Sequence, residues 1–285
     1  MIAAAKYRYV LSLSCPDGPG IVHAVSGAIA SVGGNITESQ QFGASDTGKF
    51  FMRVELEAHV AEAALREALG PVVERFAMTW NLDHSGRRMR TIVMVSTAEH
   101  CLNDLLYRER AGLLPVDIAA VVGNHETLRE LAEFYGKPFV HIPVTAETKP
   151  DAEAALLAMV EELDVELVVL ARYMQILSPH LAEALRGKAI NIHHSFLPSF
   201  KGARPYLQAH DRGVKLIGAT AHYVTSDLDE GPIVEQDVER VDHAHTPDTL
   251  TAIGADVERR ALARAVRWHA EHRVLLDGHR TIVFR

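Results

Sequence analysis

Tyr7, Tyr9, Leu11 and Leu13 fall on every second position, the pattern of a strand with one buried face. The run ends in Ser14-Cys15-Pro16-Asp17-Gly18-Pro19-Gly20, a cluster of structure breakers. Ile21, Val25, Ala28, Ile29 and Val32 then recur at helical spacing until Gly33-Gly34 stops them. Further alternation predicts strands over 36–42 and 50–56, with a turn at 43–48. Ala61, Leu65, Leu69 and Val72 mark a second helix, and residues 77–82 a fourth strand. The order is βαββαβ, a ferredoxin-like layer of one sheet and two helices.

After the polar stretch His84-Ser85-Gly86-Arg87-Arg88 the pattern changes. Thr91–Val95, Ile118–Val122, Phe139–Ile142, Leu167–Leu170 and Ala189–Ile192 are short, nearly continuous apolar runs. Amphipathic helical segments lie between them. Strands of that kind are buried on both faces, which predicts a mainly parallel, Rossmann-like sheet. Two more strands are expected over 216–224 and 232–238. A long helix follows, with Thr246 as its N-cap and Pro247 in its first turn, and a last strand over 281–284. The fold class is α/β, divided into residues 1–85 and 86–285.

Composition narrows the partners. Hydrophobic residues make up 48% and charged residues 23%, which is ordinary for a globular chain. The net charge is −8 and neither part is basic, so a nucleic-acid surface is not expected. No apolar run has the length of a membrane helix, and the first residues lack the apolar stretch of a signal peptide. Two cysteines, Cys15 and Cys101, suit a reducing compartment, and a cytoplasmic location is expected. No G-x-G-x-x-G follows the first strand of the second part, which disfavours a dinucleotide enzyme. Arg259, Arg260, Arg264 and Arg267 form a stripe on the long helix that suits solvent or acidic neighbours.

Of the 16 histidines, 13 lie after residue 85. His193 and His194 are adjacent, so in a strand their side chains are expected to point apart. His243 and His245 share a face, but no third ligand completes a site. No metal is expected.

Two segments carry candidate chemistry. Asn191-Ile192-His193-His194-Ser195-Phe196-Leu197-Pro198 puts Asn191 and His193 on one face at the end of a strand. The second segment, His222 to Pro232, places a histidine on a strand and Asp229 in the loop after it. An amide, an imidazole and a carboxylate suit acyl transfer, with the first two stabilising an oxyanion. The residue types alone leave a second reading open, in which Asn191 and His193 cap a turn. His222 is equally open, as a water-positioning residue or as a packed strand histidine.

The wording of these segments closely resembles the folate-dependent formyltransferase domain, over about residues 88–285. The resemblance implies that Asn191, His193 and Asp229 are catalytic, and that backbone groups near Met174, Gln175 and Leu177 bind the folate pterin. The loop Asp17-Gly18-Pro19-Gly20, with Gly33-Gly34-Asn35-Ile36, resembles the ACT regulatory domain, over about residues 5–83. That implies an amino-acid effector site, often across a subunit interface, with Asp17, Gly18, Gly20 and Asn35 as candidates. A glycine-rich turn opening a helix offers free N–H groups to a carboxylate. A tight turn without ligand is the other reading.

The two domains together resemble the formyltetrahydrofolate deformylase family. The resemblance implies hydrolysis of 10-formyltetrahydrofolate to formate and tetrahydrofolate, with no cofactor beyond that substrate. It also implies formate supply for purine synthesis, balance of one-carbon folate pools, regulation by methionine or glycine, and a homodimer or homotetramer. Glycinamide ribonucleotide formyltransferase is the nearest alternative. Its acceptor phosphate sits in a glycine-rich loop, whereas Ser96-Thr97-Ala98-Glu99-His100-Cys101 has no glycine and carries an acid. A tRNA formyltransferase is disfavoured by the acidic second part. A folate and amino-acid sensor without activity is disfavoured by the three intact candidate residues.

Overall fold

A computed structural model describes residues 6–196 and 205–285. The chain divides into two compact units, and the first comprises residues up to 87 together with 271–277 and 281–285. Its elements are β1 (Tyr7–Pro16), α1 (Ile21–Ser31), β2 (Asn35–Ala44), β3 (Lys49–Ala58), α2 (Glu62–Arg75) and β4 (Thr79–His84). The sheet order is β2-β3-β1-β4 with every pairing antiparallel, which is the expected βαββαβ layer. Leu11, Leu13, Leu65 and Leu69 are buried with Val25 and Ile29 between sheet and helices. Each such leucine stabilises the fold by ~1.5–3 kcal/mol. The fourth strand starts two residues later than the alternation suggests. Ala77 takes a left-handed φ of 49°, so the turn after α2 extends past it.

The second unit comprises residues 88–270 and 278–280. It opens with β5 (Met89–Val95), α3 (His100–Arg110), β6 (Val116–Gly123), α4 (Arg129–Phe134), β7 (Phe139–His141) and α5 (Lys149–Glu162). It continues with β8 (Leu167–Leu170), α6 (Pro179–Ala184), β9 (Ala189–His193), α7 (Pro205–Asp211), β10 (Leu216–Tyr223), β11 (Ile233–Arg240) and α8 (Pro247–Ala270). The seven strands run in the order β11-β10-β9-β8-β5-β6-β7. Those from β9 to β7 are parallel, while β10 is antiparallel to both β9 and β11. Strand order reverses between β5 and β8, so the loops after these strands flank the crevice where such sheets bind ligands. Thr246 caps α8 as its sequence suggests, its hydroxyl accepting from the Thr249 N–H at 3.2 Å. Arg260 and Arg264 of the basic stripe pair with Asp237, and Arg264 also with Glu235.

Residues 271–277 and 281–285 cluster with the first unit, which a single division at residue 85 does not include. β12 (Val274–Asp277) and β13 (Arg280–Val283) form a hairpin, of which residues 274–277 and 281–283 belong to the first unit. Phe284 packs on Ala44 and Phe51, and the buried Arg53 donates to the Glu271 carbonyl at 3.2 and 3.0 Å. Apolar Phe51 and the guanidinium of Arg53 thus need this segment to be covered and satisfied. The sequence pattern predicts only the last strand.

Candidate active site

The site forms where β9 ends at the carboxyl edge of the sheet. Asn191 and His193 share one face of β9, with Ile192 buried on the other. Strand β10 runs antiparallel beside it, in a register that sets His222 opposite Asn191. Their side chains meet, Asn191 Nδ2 lying 3.3 Å from His222 Nε2. The second ring nitrogen of His222 faces the Tyr223 carbonyl at 2.9 Å. A carbonyl only accepts, so Nδ1 carries a hydrogen and Nε2 receives the amide.

The loop after β10 folds back to bring in Asp229. Two backbone features allow this. Asp229 itself adopts a left-handed φ of 58°. Gly231 passes so close to β10 that a Cβ there would lie 1.7 Å from the Tyr223 carbonyl oxygen. The carboxylate then bridges two rings. Asp229 Oδ2 is 3.2 Å from His193 Nδ1, and Oδ1 is 3.7 Å from His222 Nε2. The His193 hydrogen bond above all holds the Asp229 carboxyl well below the usual carboxylate range against the opposing effect of burial.

Because His193 Nδ1 faces a carboxylate, it donates. Its other nitrogen, Nε2, is buried and has no hydrogen-bond partner among the described residues. An imidazole oriented in this way presents Nε2 as the atom that gives or takes a proton. Both His193 and Asp229 line a cleft that opens to solvent.

Met174, Gln175 and Leu177 line the same cleft, on the loop after β8. Ser96 anchors this loop. The Met174 N–H donates to Ser96 Oγ at 2.9 Å, and that hydroxyl donates to Asn124 Oδ1 at 2.7 Å. The Met174 N–H is therefore already committed. Its side chain is exposed.

His193 and His194 do not diverge as a strand would require. β9 ends at His193, the chain bends, and the two rings stack with centroids 4.9 Å apart and planes at 18°. His194 contacts Arg172, and burial beside that guanidinium pushes its pKa down to about 4. Sequence reasoning does not single out Arg172 or His194 as site residues, although His194 lies inside the segment Asn191 to Pro198 and Arg172 is two residues before Met174. Leu197 and Pro198 of that first segment lie outside the described residues.

One group of possible metal ligands occurs among the described residues, His100, Cys101 and Glu258. Glu258 is already engaged by His100 at 2.8 Å, Tyr206 at 2.6 Å and Arg172 at 3.4 Å. A cation there would have to displace an arginine, so the cluster is an ion-pair knot.

The effector candidates behave differently. Gly20, at φ 90°, turns the chain from β1 into α1, and Asp17 and Gly18 precede it. Asp17 lies at the end of β2 that holds Gly43, whereas Asn35 opens the far end of the same strand. The ladder agrees, since Asn35 pairs with Glu57, which in turn pairs with Arg8 near the start of β1. Within one chain the structure does not bring Asp17 and Asn35 together.

Comparison with known proteins agrees with both halves of this architecture. Residues 9–70 match the ACT domain and residues 89–266 match the formyl transferase family. A formyltetrahydrofolate deformylase of Corynebacterium sp. (strain P-1) is 52% identical over 283 residues, covering 98% of this chain and 99% of that protein. The formyltetrahydrofolate deformylase of Bacillus subtilis (strain 168) is 48% identical, covering 96% of this chain and 93% of that protein. The crystal structure of formyltetrahydrofolate deformylase from Burkholderia mallei superposes with a TM-score of 0.95 at 50% identity, covering 98% of this chain and 100% of that one. Glycinamide ribonucleotide transformylase 1 from Symbiobacterium toebii reaches a TM-score of 0.67 at 31% identity, covering 72% of this chain and 98% of that one. The match to the deformylases thus spans both units, and the chain belongs to the formyltetrahydrofolate deformylase family.

Proposed function

We propose that Asn191, His193 and Asp229 carry out the family's reaction in this chain, with water as the acceptor. The chain hydrolyses 10-formyltetrahydrofolate to formate and tetrahydrofolate. The observation that supports these residue roles is the pairing of His193 Nδ1 with Asp229 while Nε2 stays buried and unpartnered in the cleft wall.

The chemistry follows from the donors. Water adds to the formyl carbon and the carbonyl oxygen becomes an oxyanion. One N–H of the Asn191 amide is spent on His222, and its second is free for that oxyanion. His193, oriented by its Nδ1 contact with Asp229, passes an Nε2 proton to N10 as the C–N bond breaks. Asp229 also orients the water. The proton shed by water passes to the Asp229 carboxylate and on to His193 as His193 protonates N10, so both groups return to their starting state.

Water as the acceptor is favoured by the loop after β5. Glu99 sits at the N-terminus of α3, where an acceptor phosphate would need free N–H groups and positive potential. Incubation with 10-formyltetrahydrofolate alone tests this. Formate released without any amine acceptor supports hydrolysis, whereas release only on adding glycinamide ribonucleotide overturns it.

The substrate cleft binds folate through the loop of Met174, Gln175 and Leu177. The first unit is the regulatory part, and ACT similarity suggests effector binding there. A methionine or glycine effector at the Asp17–Gly20 loop, assembly as a homodimer or homotetramer, and a cytoplasmic location complete the reading. Among the described residues no helix is long and apolar enough to cross a membrane.

A further inference from the structure

The mechanism above leaves one buried acid unused. Glu258, in the middle of α8, is 1% exposed. Its Oε1 accepts from the Tyr206 hydroxyl at 2.6 Å. Its Oε2 faces His100 Nε2 at 2.8 Å and Arg172 Nε at 3.4 Å. Three elements therefore bring donors to one carboxylate: α7, α3 and the loop after β8.

Arg172 is the link toward the reacting groups. It holds a left-handed φ of 62°, a conformation that a side-chain-bearing residue rarely adopts. Its guanidinium lies between Glu258 on one side and His194 Nδ1 on the other. A guanidinium only donates, so His194 Nδ1 accepts and the ring's single hydrogen sits on Nε2. That neutral ring is the one stacked on His193.

We propose that Glu258 and Arg172 are positioning residues for the proton donor His193: Glu258 holds Arg172, Arg172 holds His194 face-on against His193, and the balanced charge of the pair spares His193 a second cation nearby. The proposal rests on His193 acting as the acid of the deformylase reaction.

The charges facing these groups define the expected effect. His193 faces Asp229 and His194 directly, with His222 reached through Asp229. His194 experiences Arg172, His193, Glu258 and Asp229. Glu258 faces His100, Arg172 and Tyr206, with Cys101 close by. Removing the carboxylate leaves the Arg172 charge uncompensated and disfavours a second cation on His193. Removing the guanidinium leaves a buried anion and favours that cation. The two changes act on His193 in opposite directions.

The test is the pH dependence of kcat and KM for the full chain, as wild type, Glu258→Gln, Arg172→Gln and the double variant. The alkaline limb of kcat marks loss of the His193 proton in the substrate complex. It is expected to fall by about half a pH unit in Glu258→Gln and to rise by a similar amount in Arg172→Gln. In the double variant it returns toward wild type. KM changes by less than about threefold throughout. A limb that stays in place, or moves the same way in both single variants, overturns the proposal. Should Glu258→Gln not fold, Arg172→Gln against Arg172→Lys decides the question. The limb rises with glutamine and stays with lysine; no rise with glutamine overturns the proposal. A wild-type chain that releases no formate from 10-formyltetrahydrofolate removes the deformylase reading and this proposal with it. An active wild type with unmoved limbs removes the positioning role alone.

Discussion

His222 stands directly across the β9–β10 ladder from Asn191, and their side chains meet at 3.3 Å. Strand register, which a loop does not provide, thus sets the direction of the Asn191 amide. A shift of one residue would turn Asn191 and His193 away from the cleft together. In the proposed reaction the Asn191 amide is thus aimed at the oxyanion before substrate arrives, which is where electrostatic stabilisation is most effective.

Replacing that donor removes one hydrogen bond made to the developing oxyanion. Asn191→Ala is expected to lower kcat by about 100- to 1000-fold with little change in KM. Steady-state kinetics on 10-formyltetrahydrofolate checks this. A rise in KM at constant kcat would instead place Asn191 in ground-state binding.

Gly231 carries the return of the Asp229 loop. A methyl group at this position would overlap the Tyr223 carbonyl oxygen, 1.7 Å away, so the backbone itself must move. Gly231→Ala is expected to lose about 1–3 kcal/mol of stability and most of its activity, because Asp229 leaves its two histidines. Thermal unfolding and turnover measured on one preparation test the prediction, and wild-type values for both would contradict it.

His194 gives the chain a pH dependence that can be separated from catalysis. Its ordinary value is 6.5, and burial with the neighbouring Arg172 charge pushes it down to about 4 in the folded chain. Between these values the unfolded chain binds the extra proton and the folded chain does not. Stability is therefore expected to fall as pH drops from about 6.5 to about 4, with no further loss from this group below that. His194→Gln should flatten this stretch of the curve. Denaturant midpoints at intervals across the window provide the measurement, and an unchanged slope in the variant would contradict it.

The local features were readable from the chain. Alternation from Tyr7 to Leu13, and breakers at Pro16 to Gly20, are enough for a strand feeding a helix. Asn191 and His193 share a face wherever residues 189–193 form a strand. Asp229 was legible through the wording of its loop, although spacing alone does not reveal that it reaches back to His193. The missed features are those fixed by distant packing. Glu258 precedes Arg259 and Arg260 and reads as one more charge on a solvent face, yet it is buried by residues about 50 to 160 positions away. β12 follows α8 with no proline or glycine between them, so the periodicity does not mark the break. There His272 supplies the left-handed turn, at φ 53°. The hairpin it starts is covered by strands from the first 60 residues, a pairing that no local pattern encodes.

The most direct measurement is formate release by Asp229→Asn from 10-formyltetrahydrofolate without any acceptor, alongside the affinity of the variant for tetrahydrofolate. The amide keeps the shape of the side chain and removes the carboxylate that faces His193 Nδ1. Turnover is expected to fall by about a thousandfold or more, while the tetrahydrofolate Kd stays within about threefold of wild type. Near-normal turnover in this variant would contradict the assignment of Asp229, and with it the hydrolytic role of the Asn191, His193 and Asp229 cluster.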